Sequence, residues 1–286
     1  MQKPFGSQKN ETRGTYAALD NEKELARLTI QDRTVTAAMG GVLAEQADPT
    51  VFHRVLDVGC GPGGWVIEAA QTYPEMSLVG IDISQQMIEY ARTQAEAHHV
   101  DDRVKFRVMD ALLILEFPVG FFDLVNLRFG ISFLRTWDWP KMLSELLRVT
   151  HRGGVVRITE TEASFGSSSP AMARFFEMFQ NALFRSGHLF ADESTGLIDH
   201  LARLMSQHGC KQVQTKAYAV EYRAGTAEGE AFCENMKLVF QTVRPFIQKW
   251  GNAVKDYEAT YQQAILEISQ PDFHATWNML TAWGKR

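Results

Sequence analysis

Between Arg54 and Thr159 the chain alternates short apolar runs with longer stretches of helical periodicity. Val55 to Val58, Ser77 to Ile81, Val104 to Met109, Phe122 to Leu127 and Val155 to Thr159 have strand length and are bounded by turn-forming residues. Trp65 to Thr72, a segment opened by Ser84, and Trp139 to Thr150 carry apolar residues at helical spacing; Met87, Ile88 and Ala91 form the inward side of the second. Ser84 suits the N-cap, because its hydroxyl can accept from a free backbone N–H of the first turn. Arg152-Gly153-Gly154 reads as a turn before the last of these strands. Repeated β–α units of this length predict a doubly wound α/β fold, with a mostly parallel seven-stranded sheet covered by helices on both faces.

The flanks are less regular. Residues 1–15 form a polar arm rich in Lys, Gln, Gly, Ser and Asn. A capping box of Asn21 and Glu24 opens a helix to about Ala47, with Leu25, Leu28, Val35 and Met39 on one side. Residues 16–50 are therefore assigned to an N-terminal helical lid, 51–163 to the core, and 164–286 to the remaining strands and a helical cap. In that last part, Ser164 to Pro170 reads as a Gly/Ser/Pro linker and Ala171 to Ser186 as an aromatic helix. A helix ending near Gly209, a strand around Val213 to Val220, extra helices within 227–269 and a strand from Phe273 to Trp283 follow. The cap, about 165–190 and 227–269, is expected to fold over the carboxyl edge of the sheet.

Composition removes several classes. The net charge of −5 argues against a nucleic-acid partner, which calls for a basic face. No run approaches the roughly 18 apolar residues of a membrane span. Met1 to Gly14 has no apolar core of a secretory signal. Cys60, Cys210 and Cys233 are scattered and make neither a disulfide framework nor a metal site, which reads as a cytoplasmic protein with no bound metal. A homodimer is left open.

The chemistry concentrates in Asp57-Val58-Gly59-Cys60-Gly61-Pro62-Gly63-Gly64, between a strand and a helix. Glycines let a backbone turn sharply and approach a ligand closely. The spacing also satisfies the dinucleotide GxGxxG pattern, so glycines alone do not name a cofactor. Acidic residues narrow the choice. Asp57, at the end of the first strand, suits an ammonium or the fixing of the loop, and would oppose a pyrophosphate. Asp82 ends the second strand, where a carboxylate can accept both ribose hydroxyls, and Asp110 ends the third, where it can read an adenine edge.

In order and spacing, Val55 to Gly63, Gly80-Ile81-Asp82-Ile83-Ser84, Met109-Asp110-Ala111 and Phe122-Asp123-Leu124-Val125-Asn126 resemble class I S-adenosylmethionine-dependent methyltransferases. Leu147-Arg148-Val149 with Arg152-Gly153-Gly154 is similar to their turn before strand five. Arg128-Phe129-Gly130-Ile131 is similar to the ubiquinone/menaquinone-biosynthesis branch, which methylates small molecules. Tyr16-x-x-Leu19-Asp20 and Arg27-Leu28-x-x-Gln31 more loosely resemble methyltransferases of secondary metabolism. The resemblance covers residues 54–161 and implies a Rossmann-like fold, with S-adenosylmethionine as cofactor and S-adenosylhomocysteine as product. It implies that Asp57, Gly59, Cys60, Gly61, Pro62 and Gly63 hold the methionine part. Asp82 would take the ribose, with Ile83 and Met87 beside the adenine, and Asp110 and Ala111 would meet the adenine amino group and ring. Asn126 and Arg128 would lie toward the sulfonium end, with Tyr16 and Gln31 as a lid. Cys60 as a loop filler, Ile83 and Met87 as core, and Tyr16 and Gln31 as ordinary helix packing are the competing readings.

The acceptor is open, whether methylated at C, N or O. Asn126-Leu127-Arg128-Phe129 lacks the Pro-Pro of amino-methylating DNA enzymes, and the chain has no Pro-Cys pair for cytosine-C5 chemistry. Met172, Phe175, Phe176 and Phe179, with Met236, Phe240 and Phe246 later, are either core or the wall of an apolar pocket. A small apolar or aromatic acceptor is the reading carried forward. His188, beside Gly187 after the aromatic helix, is the candidate general base, against a structural role. A non-catalytic methyltransferase-like regulator or binding module, an NAD-dependent oxidoreductase and a protein methyltransferase stand as alternatives.

Overall fold

Five strands run parallel, and the central ones are buried on both faces, which is what a sheet covered by helices on both sides requires. They are β1 (Arg54–Val58), β2 (Ser77–Asp82), β3 (Val104–Val108), β4 (Phe122–Arg128) and β5 (Thr150–Thr161). In the computed structural model, which describes residues 22–251 and 256–286, they run in the order β3-β2-β1-β4-β5. Crossovers are made by α2 (Gly64–Thr72), α3 (Gln85–Ala97) and α4 (Trp139–Val149). Ser84 caps α3 as expected, its Oγ accepting from Met87 N at 3.1 Å.

The sheet is completed from the end of the described chain. β8 (His274–Lys285) lies antiparallel between β5 and β7 (Lys211–Arg223), and α6 (Ile198–Gln207) packs on those two strands. Among the described residues there are eight strands rather than seven, because residues expected to be a linker form the short β6 (Gly166–Ser167) against Ala275 and Thr276 of β8. That segment is also tied by Ser168 N donating to the His274 carbonyl, and by Ser169 Oγ donating to Glu267 Oε2 at 2.6 Å. Arg152–Gly154 lies within β5, where the register with β4 shifts between Phe122 and Leu124.

Helix α1 (Glu22–Ala38) ends nine residues before the expected Ala47, because Gly40 and Gly41 adopt positive φ and Gly41 N donates to the Thr36 carbonyl. Its inward side also differs. Val35 is buried, but so are Glu24, Arg27 and Thr36, while Leu25 and Leu28 are half-buried. The polar arm, Tyr16 and the Asn21 end of the capping box lie outside the described residues.

The cap consists of α5 (Pro170–Arg185), α7 (Ala227–Thr242), α8 (Arg244–Trp250) and α9 (Tyr257–Ile268). Its centre is aromatic: the Phe175 ring meets Phe240 edge-on at 4.3 Å and Tyr257 at 5.7 Å. α1 packs against both α2 and α7, so it spans from the sheet core to the cap.

A polar row crosses the sheet centre. Asp57, Asn126 and Arg157 are lateral neighbours on β1, β4 and β5. Asn126 Nδ2 donates to Asp57 Oδ1 at 2.7 Å, and Arg157 Nη1 donates to Asn126 Oδ1 at 2.7 Å. Arg157 Nε and Nη2 reach Glu45 at 2.7 and 3.2 Å. Arg157 and Glu45 side chains are each 1 % exposed, so removing one charge strands the other. Arg157→Leu should cost about 3–5 kcal/mol in urea unfolding, by leaving Glu45 buried and unpaired. A loss below about 1 kcal/mol would show that the row does not hold the sheet.

Candidate functional site

The acids and glycines singled out in the sequence converge at the carboxyl ends of β1, β2 and β3. The loop after β1 needs its glycines for different reasons. Gly63 has φ +81° at the N-cap of α2, and a Cβ there would lie 2.7 Å from the Phe106 ring. Gly59 has φ +69°, and its Cβ would meet Phe133 at 3.2 Å. Gly61 has φ +52°, and a Cβ on it would meet only Leu28, at 3.9 Å. Packing therefore does not demand glycine at 61; the backbone conformation and an open outer face do.

Asp82 shapes this loop directly: Oδ2 accepts from Gly61 N and Oδ1 from Ser84 N, both at 2.9 Å. Asp110 turns the chain after β3 in a similar way, accepting from Leu112 N at 2.9 Å, with Ala111 half-buried beside it. Ile83 is 69 % exposed and stands free of the core, whereas Met87 is buried within it on α3. Of that pair, Ile83 alone presents a surface. Cys60 and Pro62 are buried inside the loop, and burial pushes the Cys60 thiol well above its ordinary range, so it is a filler and no nucleophile.

Asn126 is fully buried, with both ends of its amide taken by Asp57 and Arg157. It positions Asp57 and does not reach a ligand surface. Asp57 is 2 % exposed, and burial pushes its carboxyl up to about 7 despite the pull of Arg128 and of the Asn126 hydrogen bond.

Arg128, at the end of β4, gathers the remaining charge. Its guanidinium pairs with Asp32 Oδ1, donates to Thr36 Oγ1 at 3.3 Å and lies over the Trp65 ring. A Cβ on Gly64 would collide with the Asp32 carboxylate, so α1 rests against the start of α2 at this point. Asp32, Asp57 and Glu68 all act on this one guanidinium, and burial raises Glu68 as well. The set has more acid than base.

Beside it opens a second space of about 600 Å³, counting its mouth, between the carboxyl edge of β5, the cap and α1. Phe129, Ile131, Phe165, Phe176, Phe179 and Trp277 make its apolar wall. Arg27, Gln31, Glu162 and Asn235 supply the polar side. The aromatic cap helix thus divides: Met172 and Phe175 are core, Phe176 and Phe179 are wall. Gln31 accepts from Arg27 Nη1 at 2.6 Å, and Arg27 forms a two-pronged pair with Glu24 at 2.7 and 2.8 Å.

His188 is not brought to this space. It is fully buried in the turn after α5, with Nδ1 2.8 Å from Ser186 Oγ and its ring against Phe246. Burial, and to a lesser degree Arg135, lowers it to about 4. A neutral, packed ring after a helix end has a structural place, because the backbone bond from His188 N to the Leu183 carbonyl closes the helix there.

Asp32 and Asn235 were not singled out in the sequence, and Arg27 only as part of the Arg27-Leu28-x-x-Gln31 motif, with no site role. Their signal was there: Glu24, Arg27 and Asp32 fall on the side of α1 that Leu28 and Val35 mark as inward, where charge is out of place. Among the described residues, no group of three or more His, Cys, Asp or Glu could hold a metal ion, and no helix is long and apolar enough to cross a membrane.

Comparison with known proteins agrees with this geometry. Residues 55–154 match a family described as a methyltransferase domain. The chain is 35 % identical over 137 residues to a demethylmenaquinone methyltransferase of Deinococcus radiodurans, covering 48 % of this chain and 54 % of that one. It is 36 % identical over 106 residues to ajmaline N-methyltransferase of Rauvolfia serpentina, covering 37 % and 35 %. The chain thus spans about half or less of these relatives' lengths. A Haemonchus contortus phosphoethanolamine N-methyltransferase, solved with S-adenosyl-L-methionine, superposes with a TM-score of 0.58 at 20 % identity over 100 % of this chain and 63 % of that one. The fold is the Rossmann-like fold of class I methyltransferases.

The buried acids carry a pH signature. Burial lifts Asp57 from 3.8 to about 7 and Glu160 from 4.5 to about 8, so the folded chain keeps two protons that the unfolded chain releases near pH 4. Their contribution to stability is complete at low pH and is lost as pH rises through that window. Glu160 Oε2 accepts from Ile131 N at 3.2 Å, which an amide oxygen can equally do. Glu160→Gln should therefore flatten the fall in unfolding free energy between about pH 5 and 8 relative to wild type. An unchanged slope in urea titrations at several pH values would show that Glu160 is ionised in the fold.

Proposed function

With residues 55–154 carrying a methyltransferase domain, we propose that the chain transfers the methyl group of S-adenosylmethionine to a small, largely apolar acceptor. The observation that carries this reading is the acid surplus at the glycine loop. Asp32, Asp57 and Glu68 share the guanidinium of Arg128. A ligand with an ammonium and a sulfonium relieves that surplus, whereas a dinucleotide pyrophosphate adds to it. The NAD reading is disfavoured on the same ground.

When bound, S-adenosylmethionine supplies an electrophilic methyl on its sulfonium. The residues of this chain would hold it as follows. The outer face of Gly61 gives backbone approach, and Asp57 and Arg128 set the charge at the amino-acid end. Asp82 takes the ribose hydroxyls, and Ile83 and Ala111 flank the adenine. Asp110 reads the adenine amino group. The aromatic space on the far side of Arg128 receives the acceptor, aligns it and keeps water away, which is most of what an in-line transfer needs. An acceptor that loses a proton needs somewhere to put it. Glu162, on the cavity wall, is the group suited to this role: burial raises its carboxyl, and Asn278 Nδ2 donates to it at 3.2 Å.

Three measurements test this reading. Calorimetry should find S-adenosylmethionine bound and NAD not, and a labelled-methyl screen over small apolar acceptors should yield S-adenosylhomocysteine; binding of NAD alone would overturn the reading. Asp82→Ala should weaken cofactor binding by about 2–3 kcal/mol. That loss should not add to the loss caused by a 2′-deoxyribose analogue. Full additivity would leave Asp82 as a loop support only. Glu162→Gln should lower kcat by about 10²-fold or more for an acceptor that loses a proton, and abolish the acid limb of the rate profile. A retained limb would remove Glu162 from proton transfer.

A further inference from the structure

Helix α7 buries Phe232, Met236, Val239 and Phe240, an apolar stripe at three- and four-residue spacing. Asn235 stands on the same stripe, 6 % exposed, and borders the aromatic cavity. Its Oδ1 is buried with no hydrogen-bond partner among the described residues. A neighbouring polar residue on the helix behaves differently: Thr242 Oγ1 donates to the Val239 carbonyl. An unpaired amide oxygen is a poor choice for stability, since leaving it unmet is worth about 1–3 kcal/mol against the fold. A leucine has the same branched arrangement of heavy atoms and none of that burden.

Resting on the reading of this cavity as the acceptor site, we propose that Asn235 is its specificity-determining anchor. It accepts a hydrogen bond from a hydroxyl or N–H carried by an otherwise apolar, ring-bearing acceptor. The cavity fits such a molecule. Its wall is aromatic: the stacked Phe165 and Trp277, 4.9 Å apart, together with Phe129 offer flat faces to a ring. The hand of the hydrogen bond follows from the neighbours. Arg27 is engaged with Glu24 and Gln31, whereas Asn235 Oδ1, on a residue that borders the same space, has no partner among the described residues and can only accept. A donor on the ring would fix which ring position faces the glycine loop. Such an anchor discriminates well, because a ring without the donor leaves the amide unpaired.

Equilibrium dialysis of the full chain against 2-naphthol and naphthalene, with S-adenosylhomocysteine present, tests the assignment. Wild type should prefer 2-naphthol by about tenfold or more, the factor that one buried hydrogen bond supplies. Asn235→Leu should bring the two within about threefold, by losing affinity for 2-naphthol while keeping naphthalene, and its Tm should not fall. Asn235→Ala, which adds no bulk, should erase the preference in the same way. If the preference survives in both variants, another group reads the hydroxyl and the anchor assignment is overturned, with the cavity reading intact. If Tm falls sharply in Asn235→Leu while both rings bind as in wild type, the amide serves the fold and the assignment is overturned. If wild type binds neither ring although S-adenosylhomocysteine binds, the acceptor-cavity reading itself fails and takes the anchor with it.

Discussion

Everything at the site hangs from one row of buried polar groups. Glu45 holds Arg157, Arg157 holds the oxygen of Asn126, and the nitrogen of Asn126 holds Asp57. Each link fixes the next, because the guanidinium can only donate and so decides which way the amide points. The row joins β1, β4 and β5 laterally, a rung below the glycine loop. The Asp57 carboxyl is thereby held in one orientation beneath the glycine loop. The arrangement lacks the cheapness of an apolar core but fixes a geometry that an apolar core cannot fix.

The second constraint is the inverted helix. α1 turns Glu24, Arg27 and Thr36 inward and reaches both the glycine loop, through Asp32, and the cap, through its packing on α7. It is a polar wall shared by two spaces of different character. On one side the Asp32–Arg128 pair closes over Trp65; on the other Arg27 and Gln31 border aromatic rings. The charged surroundings of the glycine loop and the aromatic space are in this way kept apart by a single element.

The α/β core was legible in the sequence because each of its signals is local. Strand runs, the Ser84 cap and acids at strand ends need no knowledge of distant residues, and the boundaries of β1 to β4 agree to within a residue, while β5 starts five residues before the expected Val155. What was missed depends on contacts far apart along the chain. The reach of α1 was overestimated because the glycines at 40 and 41 were not weighed as a stop. Ser164 to Pro170 looked like a linker because the partners that order it, His274 and Glu267, lie a hundred residues away. Asn126 carries the right motif spacing but the wrong exposure, since its partners are lateral neighbours in the sheet. His188 drew notice for its place beside a glycine; burial, invisible from the sequence, takes it out of the chemistry.

The place of β8 carries a consequence for how the chain reaches this state. It is the last strand in order yet lies inside the sheet, with β5 on one side and β7 on the other. Until it docks, β5 presents an unpaired edge, open to any other extended chain. The helices of the cap, which precede β8, must by then have drawn clear of that groove. Closing the sheet is therefore a late, long-range event, and a newly made chain passes through a stage with its parallel core formed and its flank sticky. The chain is most exposed to aggregation just before β8 docks, not while it is most unfolded.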